Sequence, residues 1–443
     1  MSSKKKQIGV LLKMQVGKIW SIFTSFLKKK GVRFSLLVAL CLTVTCYFAN
    51  NLPLFTGETM LQYVISQQIC DLFGWHENVD YGNVVFYNTS YDLETIPAIE
   101  YHDSDYPDTI GVNAITDRKK LSTFLDLLQK SNKYKFVIID LLFDDYDKSE
   151  YDNNLYDRII NMRDVVVANG DNICLASKLN DLHTQDNIKD ALASYYITKP
   201  NTSFARYEYT EGDVRSIPMF VYESLHPDRI MSRYGIGRFS VYFSEHRLCQ
   251  NANFLTFDDY MTIDSRKSAP KSNDLYYIEP SYINLGAYLN NSASEVEKIQ
   301  ELATYTDSAI VIIGDFAHDI HDTYMGEKPG PLIMARALQT LEERKNRVFF
   351  EPCLWFLVFF LISLFMYRDN PLSMYIPLLK KIPYKFVHMM LSLISFTTVL
   401  LICSFIEYAF FDRVYSLALP VLFFTVLKLI IQYRKFDVYE NSK

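Results

Sequence analysis

Apolar residues form two patterns along this chain. Long unbroken runs lie near both ends. Between them, short apolar runs alternate with amphipathic stretches in a polar background. A helix across a bilayer takes ~20 mostly apolar residues. Four runs meet that length: Phe34–Ala49, extendable over Leu52–Leu54; Val348–Tyr367, with Glu351 and Pro352 near its start; Phe386–Phe405, continuing towards Tyr408; and Val414–Tyr433. Lys428 lies near the inner end of the last, where its ammonium group can snorkel to the headgroups.

The central stretch carries shorter signals. Val84–Tyr87 (VVFY) predicts a buried strand ending in the polar turn Asn88, Thr89, Ser90. Thr116–Lys130 places Leu121, Phe124, Leu125 and Leu128 at helical spacing, with Thr116 or Asp117 as N-cap. Phe136–Leu142 is an apolar run broken by Asp140. Leu155, Ile159 and Met162 predict a helix, and Val165–Ala168 a strand ending at Asn169-Gly170. Val296–Thr304 predicts a helix, Ala309–Gly314 a fourth strand, and Pro331–Leu341 a closing helix after Gly330. Near-continuous apolar strands alternating with helices predict an α/β domain, a mostly parallel sheet with helices on both faces. Residues 171–290, rich in Tyr, Phe, Asn and Asp, predict short antiparallel strands and loops.

Charge turns the apolar runs into a topology. Residues 1–33 hold nine Lys/Arg and no acid, while residues 51–351 hold 27 basic and 46 acidic residues, a net −19. Basic residues mark the cytoplasmic ends of spans. Lys28, Lys29, Lys30 and Arg33 precede the first span; Arg368, Lys380, Lys381 and Lys385 separate the second and third; Arg434 and Lys435 follow the fourth. Both termini are therefore predicted inside. The predicted organisation is a basic segment 1–33, lying on the inner leaflet as an amphipathic helix through Trp20, Phe23 and Phe26; a span at 34–54; an outer domain 55–347; three spans within 348–433; and a tail 434–443. The acidic outer block excludes a general nucleic-acid binder, which needs a basic face. Of the seven cysteines, Cys41, Cys46, Cys353 and Cys403 lie in or beside spans, and Cys70, Cys174 and Cys249 are too few and too far apart for a disulfide scaffold.

Each predicted core strand ends in a polar residue. In open α/β sheets, ligands bind outside the carboxyl ends of the strands. The candidate ligand-binding residues are therefore Asn88, Ser90, Asp140, Asn169, Asp315, His318 and Asp319, with Arg118 as a partner for Asp140. Asp140 stands out because an unpaired carboxylate inside an apolar run is costly. A structural Arg118–Asp140 salt bridge and a ligand site are equally compatible with the pattern. Gly314–Gly330 (GDFAHDIHDTYMGEKPG) clusters Asp315, His318, Asp319, His321 and Asp322, but at no zinc-site spacing. It is expected to be a polar connection, with no metal. No Gly-x-Ser-x-Gly elbow or Walker loop occurs, and Gly235-Ile236-Gly237 is too short for a dinucleotide loop. Neither an enzyme nor a cofactor is expected.

Four segments together resemble the second class of CHASE domains, extracytoplasmic sensory modules of bacterial cyclases and histidine kinases. They are Thr116-Asp117-Arg118 with its helix and FVIIDLLF at 136–143; Asp152–Ala168; GDVRSIPM at 212–219; and IIGDFAHDIHDTYMGEKPGPLIMARALQTL at 312–341. Three membrane helices after the domain also match that arrangement. The resemblance implies periplasmic ligand or stress sensing coupled through the membrane to an output domain. Only Arg434–Lys443 follow the last predicted span, so the output is expected on a separate cytoplasmic or membrane effector. The sequence-level expectation is a sensor subunit of the bacterial inner membrane, in contact with lipid and capable of forming a homo-oligomer. The competing expectation is a structural or pore-forming component that oligomerises through its spans, using groups such as Ser392, Ser395, Thr397 and Thr398.

Overall fold

The computed structural model describes residues 29–49, 56–73, 83–100, 108–141, 143, 149–168, 206–211, 214–236, 240–254, 282–323, 326–348, 350–367, 385–411, 414 and 416–440. The chain divides into two compact units, Met1–Gly74 with Val348–Lys443, and Trp75–Arg347. The first unit opens with α1 (Lys30–Ala49) and α2 (Thr56–Leu72).

The second unit begins with β1 (Val84–Asn88), the hairpin β2 (Leu93–Glu100) and β3 (Asp108–Thr116), α3 (Arg118–Ser131), β4 (Phe136–Asp140), α4 (Asp152–Asn161) and β5 (Val165–Val167). It continues through β6 (Arg206–Glu208), β7 (Thr210–Glu211), β8 (Val214–Arg215), α5 (Ile217–Leu225), β9 (Ser232–Tyr234), β10 (Val241–Ser244), β11 (Arg247–Cys249) and β12 (Ala252–Phe254). It closes with β13 (Tyr282–Asn284), α6 (Leu285–Leu289), α7 (Glu295–Tyr305), β14 (Ile310–Gly314), the hairpin β15 (Ile320–Thr323) and β16 (Gly326–Pro329), and α8 (Gly330–Glu342).

Five of these strands form a parallel sheet in the order β13-β1-β14-β4-β5, so the last core strand inserts at the centre. The period of two explains why the strands are apolar throughout. Phe86, Phe136, Ile138, Ile310 and Ile312 face one core with α5 and α8. Tyr87, Val137, Ile139, Val311 and Ile313 face the other, with α3, α4 and α6. Both faces being covered, neither set can be polar. Each fully buried Ile or Val contributes ~1.5–3 kcal/mol, so a charge at Ile312 or Val311 would break the sheet.

Local chemistry sets the element ends. Thr116 pairs with Leu93 as the last residue of β3, so α3 starts at Arg118 rather than at Thr116. Asp117 is its N-cap, accepting from the Lys120 N–H at 2.9 Å. Ser294 and Glu297 close a capping box on α7. The β2–β3 hairpin was not legible in the sequence, where Pro97, Gly111 and scattered acids interrupt the alternation. In the 171–290 stretch most described strands are short and antiparallel, β6 with β12, β7 with β8, and β10 between β9 and β11, but α5 and α6 are helices and β13 joins the parallel sheet beside β1. The expected polar connection after β14 contains a second unforeseen hairpin, β15–β16.

The first unit is completed by α9 (Glu351–Tyr367), α10 (Lys385–Phe411) and α11 (Ala418–Glu440). Among the described residues only α1 is both long and apolar enough to cross a membrane, over Lys30–Phe48 with mean hydropathy 1.8. The helix expected from Val348 begins at Glu351 and has 17 residues. At 1.5 Å per residue that is about 25 Å, short of a ~30 Å hydrocarbon core. The apolar stretches of the other two predicted spans are also shorter, Phe396–Phe410 and Ala418–Lys428. The basic segment 1–28 lies outside the described residues.

Val38, Ala39 and Leu42 of α1 pack with Trp355, Phe359 and Ile362 of α9 in one buried cluster. Gly31 lies so close to the Tyr367 ring that a Cβ there would collide with it. The α2 helix explains why this unit extends to Gly74. Tyr63 meets Tyr408 edge-on, with ring centroids 4.9 Å apart. The Glu58 carboxylate accepts from Ser416 Oγ at 2.6 Å and from the Leu417 N–H at 2.8 Å, capping the start of α11. Gln62 links Glu58 to Ser404 Oγ, which donates to it at 2.9 Å. Trp355 Nε1 donates to Glu407 Oε2 at 2.7 Å.

Candidate functional site

Register brings the strand ends into one row. Asn88 stands opposite Asn284 on one side and Gly314 on the other, and Gly314 stands opposite Asp140. The carboxyl edge therefore reads Asn284, Asn88, Gly314, Asp140 across four neighbouring strands. Gly314 has to be glycine: a Cβ would run into Pro331 and the backbone of Asp140. The start of α8 thus closes directly onto the centre of the row.

One half of the row is chemically saturated. Asn88 Nδ2 donates to Asn284 Oδ1 at 2.9 Å. Its Oδ1 accepts from the Ser90 N–H at 3.0 Å, from the Ser90 hydroxyl at 2.5 Å and from the Phe316 N–H at 3.2 Å. Ser90 Oγ also faces Asp315 Oδ1 at 2.6 Å, so its single proton is shared between two acceptors. The same oxygen accepts from the N–H groups of Phe316 and Ala317, each at 2.9 Å. Asp315 accepts in addition from the backbone of Ala317 and His318 and pairs with His318 Nδ1 at 2.9 Å. Burial works upward on the Asp315 carboxyl, but hydrogen bonds from Ser90, His318 and Ala317 outweigh it and hold the pKa below the ordinary carboxylate value. Asn88 and Ser90 are buried at 1% exposure. These residues lock the turn after β1 to the turn after β14.

The other half is not saturated. Asp140 is partly buried as a residue, yet its Oδ2 is closed to solvent and has no hydrogen-bond partner among the described residues. Burial pushes its carboxyl up to about 8, the Asp319 carboxylate adds to the rise, and His321 opposes it. Asp319 Oδ1 lies 2.9 Å from His321 Nε2, and the Asp319 carbonyl accepts from the Gly330 N–H at 2.8 Å. The hydrogen bond from Asp319 raises the His321 pKa against the effect of burial, with the charges of Asp319 and Asp140 adding to the rise.

The expected Arg118–Asp140 salt bridge does not form. Arg118 is buried at 2% exposure, with its guanidinium 4.2 Å from the centre of the Phe143 ring and Nε 3.7 Å from Asp152 Oδ1. Because β4 stops at Asp140, the following chain carries Phe143 and the first residue of α4 to Arg118 and leaves Asp140 without it. Asn88, Ser90, Asp315 and His318 come together as one network; Asp140 stays outside it, with Asp319 paired to His321; Asn169 lies outside the described residues. His321 and Asn284 were missed as site residues. His321 was visible only as part of a cluster, and Asn284 follows a stretch with no periodic signal. Among the described residues no group of three or more His, Cys, Asp or Glu is placed to hold a metal ion. Comparison with family models, with curated proteins and with solved structures finds no match to this chain.

Proposed function

We propose that this chain is a membrane-embedded sensor subunit of the CHASE type. Its α/β unit lies outside a bacterial inner membrane and detects a change at the carboxyl ends of its sheet. Four helices, α1, α9, α10 and α11, cross the bilayer with both termini inside, and the signal passes to a separate effector. The observation that carries this reading is the unpartnered, closed-off Oδ2 of Asp140 in a row whose other half is saturated. Such a group costs stability and is retained where it has a task.

The route follows from connectivity. The α/β unit is inserted between α2 and α9, so the chain enters it from α1 by way of α2 and leaves it into α9. These two helices share a buried interface through Ala39, Leu42, Phe359 and Ile362. A change in the α/β unit is therefore read as a shift of α1 against α9. A ligand moves that equilibrium only by its differential affinity for the two states. A pore is less favoured, because Ser404, Ser416 and Glu407, which would face its water, are bound to Gln62, Glu58 and Trp355.

Two experiments on the full chain test this. Reporter fusions after Asn291 and after Lys443 should give outside and inside signals; an outside signal at Lys443 sinks the four-span topology. In membranes, oxidative cross-linking of a cysteine pair at Ala39 and Ile362 should change in rate with Asp140→Asn. An unchanged rate removes the coupling.

A further inference from the structure

We propose that the ligand of Asp140 is the proton, so that the strand-end site is a pH-responsive latch beneath the β15–β16 hairpin. This rests on the sensor reading above and specifies what it senses. The geometry carries it. Asp140 Oδ2 is shut off from solvent and unpartnered among the described residues, so the particle that reaches it needs no open cavity. The groups around it are few. From the turn and hairpin after β14 come Asp319 and His321, already paired with each other at 2.9 Å. From β14 comes only Gly314, since Asp315 is bound to Ser90 and His318. The next strand offers Val167 and Ala168, and α8 offers Gly330 and Pro331. Arg118 is held by Asp152 and Phe143. His321, the cation that acts on the Asp140 charge, is already engaged by Asp319, and Lys328 lies fully buried on β16 opposite His321.

With the proton bound, Asp140 is neutral and the hairpin, whose base is closed by the Gly330 N–H on the Asp319 carbonyl, stays down on the strand ends. When the proton leaves to bulk water, a buried carboxylate appears beside the Asp319 carboxylate. Like charges at low dielectric repel, and water entry relieves both. The relief lies in lifting β15–β16 from the strand ends. The upward shift of Asp140 produced by burial places this event near neutral to mildly alkaline pH.

The test is hydrogen exchange by mass spectrometry on the full chain in nanodiscs between pH 6.5 and 9, with the α1–α9 cross-link read on the same samples. Wild-type exchange in Ile320–Pro329 should rise on the order of tenfold above the intrinsic chemical rate as pH increases. Asp140→Asn should abolish the rise, and His321→Gln should keep it and move it to higher pH. A rise that survives in Asp140→Asn, or is absent from the wild type, overturns the proposal. Infrared difference spectra of 13C-aspartate-labelled wild type give a check that needs no variant. A protonated carboxyl band should vanish over this pH range, and its absence at pH 6.5 overturns the proton assignment. If the hairpin opens with pH while the cross-link rate stays constant, the proton site stands and the sensor reading falls. If Asp140→Asn changes the cross-link rate but not the pH-dependent exchange, the sensor reading stands and the proton falls.

Discussion

Two halves of one row of strand ends treat the same chemistry in opposite ways. On the β1 side, Asn88, Ser90 and Asp315 spend nearly every donor and acceptor on each other and on the N–H groups of Phe316, Ala317 and His318. One strand away, Asp140 Oδ2 meets no donor at all among the described residues. Both halves hold a carboxylate at the end of a buried parallel strand. The difference is the turn that follows. After β14, the chain folds back so that three backbone N–H groups converge on Ser90 and Asp315. After β4, it carries Phe143 and Asp152 away to Arg118. A strand-end carboxylate is thus structural or available according to where the next few residues put their donors.

The saturated half should be the more fragile. Asn88→Ala strips the partner from Asn284 Oδ1 and from the Ser90 N–H, and one of two acceptors from the Phe316 N–H. A cost of about 3 kcal/mol is expected, since each buried group left unpaired costs ~1–3 kcal/mol. It is read as a lower thermal midpoint of the full chain in detergent; a midpoint equal to wild type would show that the network is decorative. Asp315→Asn keeps the shape but weakens charge-assisted bonds to His318 and Ala317, with an expected loss of about 2 kcal/mol. Its depressed pKa gives the sign. The stabilisation from Asp315 is present above the unfolded-state pKa and is lost as pH falls through the lower folded value.

The open half should behave in the reverse sense. The folded pKa of Asp140 is raised to about 8, so the folded chain keeps a proton that the unfolded chain gives up near pH 4. Stability then falls as pH rises between those values and is level above them. Asp140→Asn cannot titrate. It should match wild type near pH 4 and exceed it at pH 8.5. Denaturation midpoints at the two pH values decide this, and a variant that is weaker than wild type at pH 8.5 contradicts the unpartnered carboxylate. The smallest effect concerns the partner assigned to Arg118. A double-mutant cycle of Arg118→Ala and Asp152→Asn should show coupling of about 0.5–1 kcal/mol, and a cycle of Arg118→Ala with Asp140→Asn should be additive. Coupling in the second cycle would restore the salt bridge that the structure does not contain.

Pattern alone determined much of this protein. The runs VVFY, FVII and AIVII are apolar at both odd and even positions, and only a strand buried on two faces needs that. The strands of the parallel sheet at Val84, Phe136, Val165 and Ile310, and the helices after them, were therefore legible within a residue or two. So were the polar residues that close β1, β4 and β14, because each of those apolar runs stops at a visible residue. What the sequence left open was pairing across the chain. The order β13-β1-β14-β4-β5 seats the last strand between the first and the second, a choice made by contacts 226 and 174 residues apart. That choice puts Asn88 and Asp140 on either side of Gly314 and gives Asp315 to Ser90. The three-residue strand β13 and the hairpins β2–β3 and β15–β16 carry too few periodic positions to announce themselves, and they gain their stability only from the neighbours they meet. Whether a given carboxylate is satisfied depends on donors delivered by those neighbours. Tertiary structure alone therefore decided that Asp315 is held and that Asp140 Oδ2 meets no donor among the described residues.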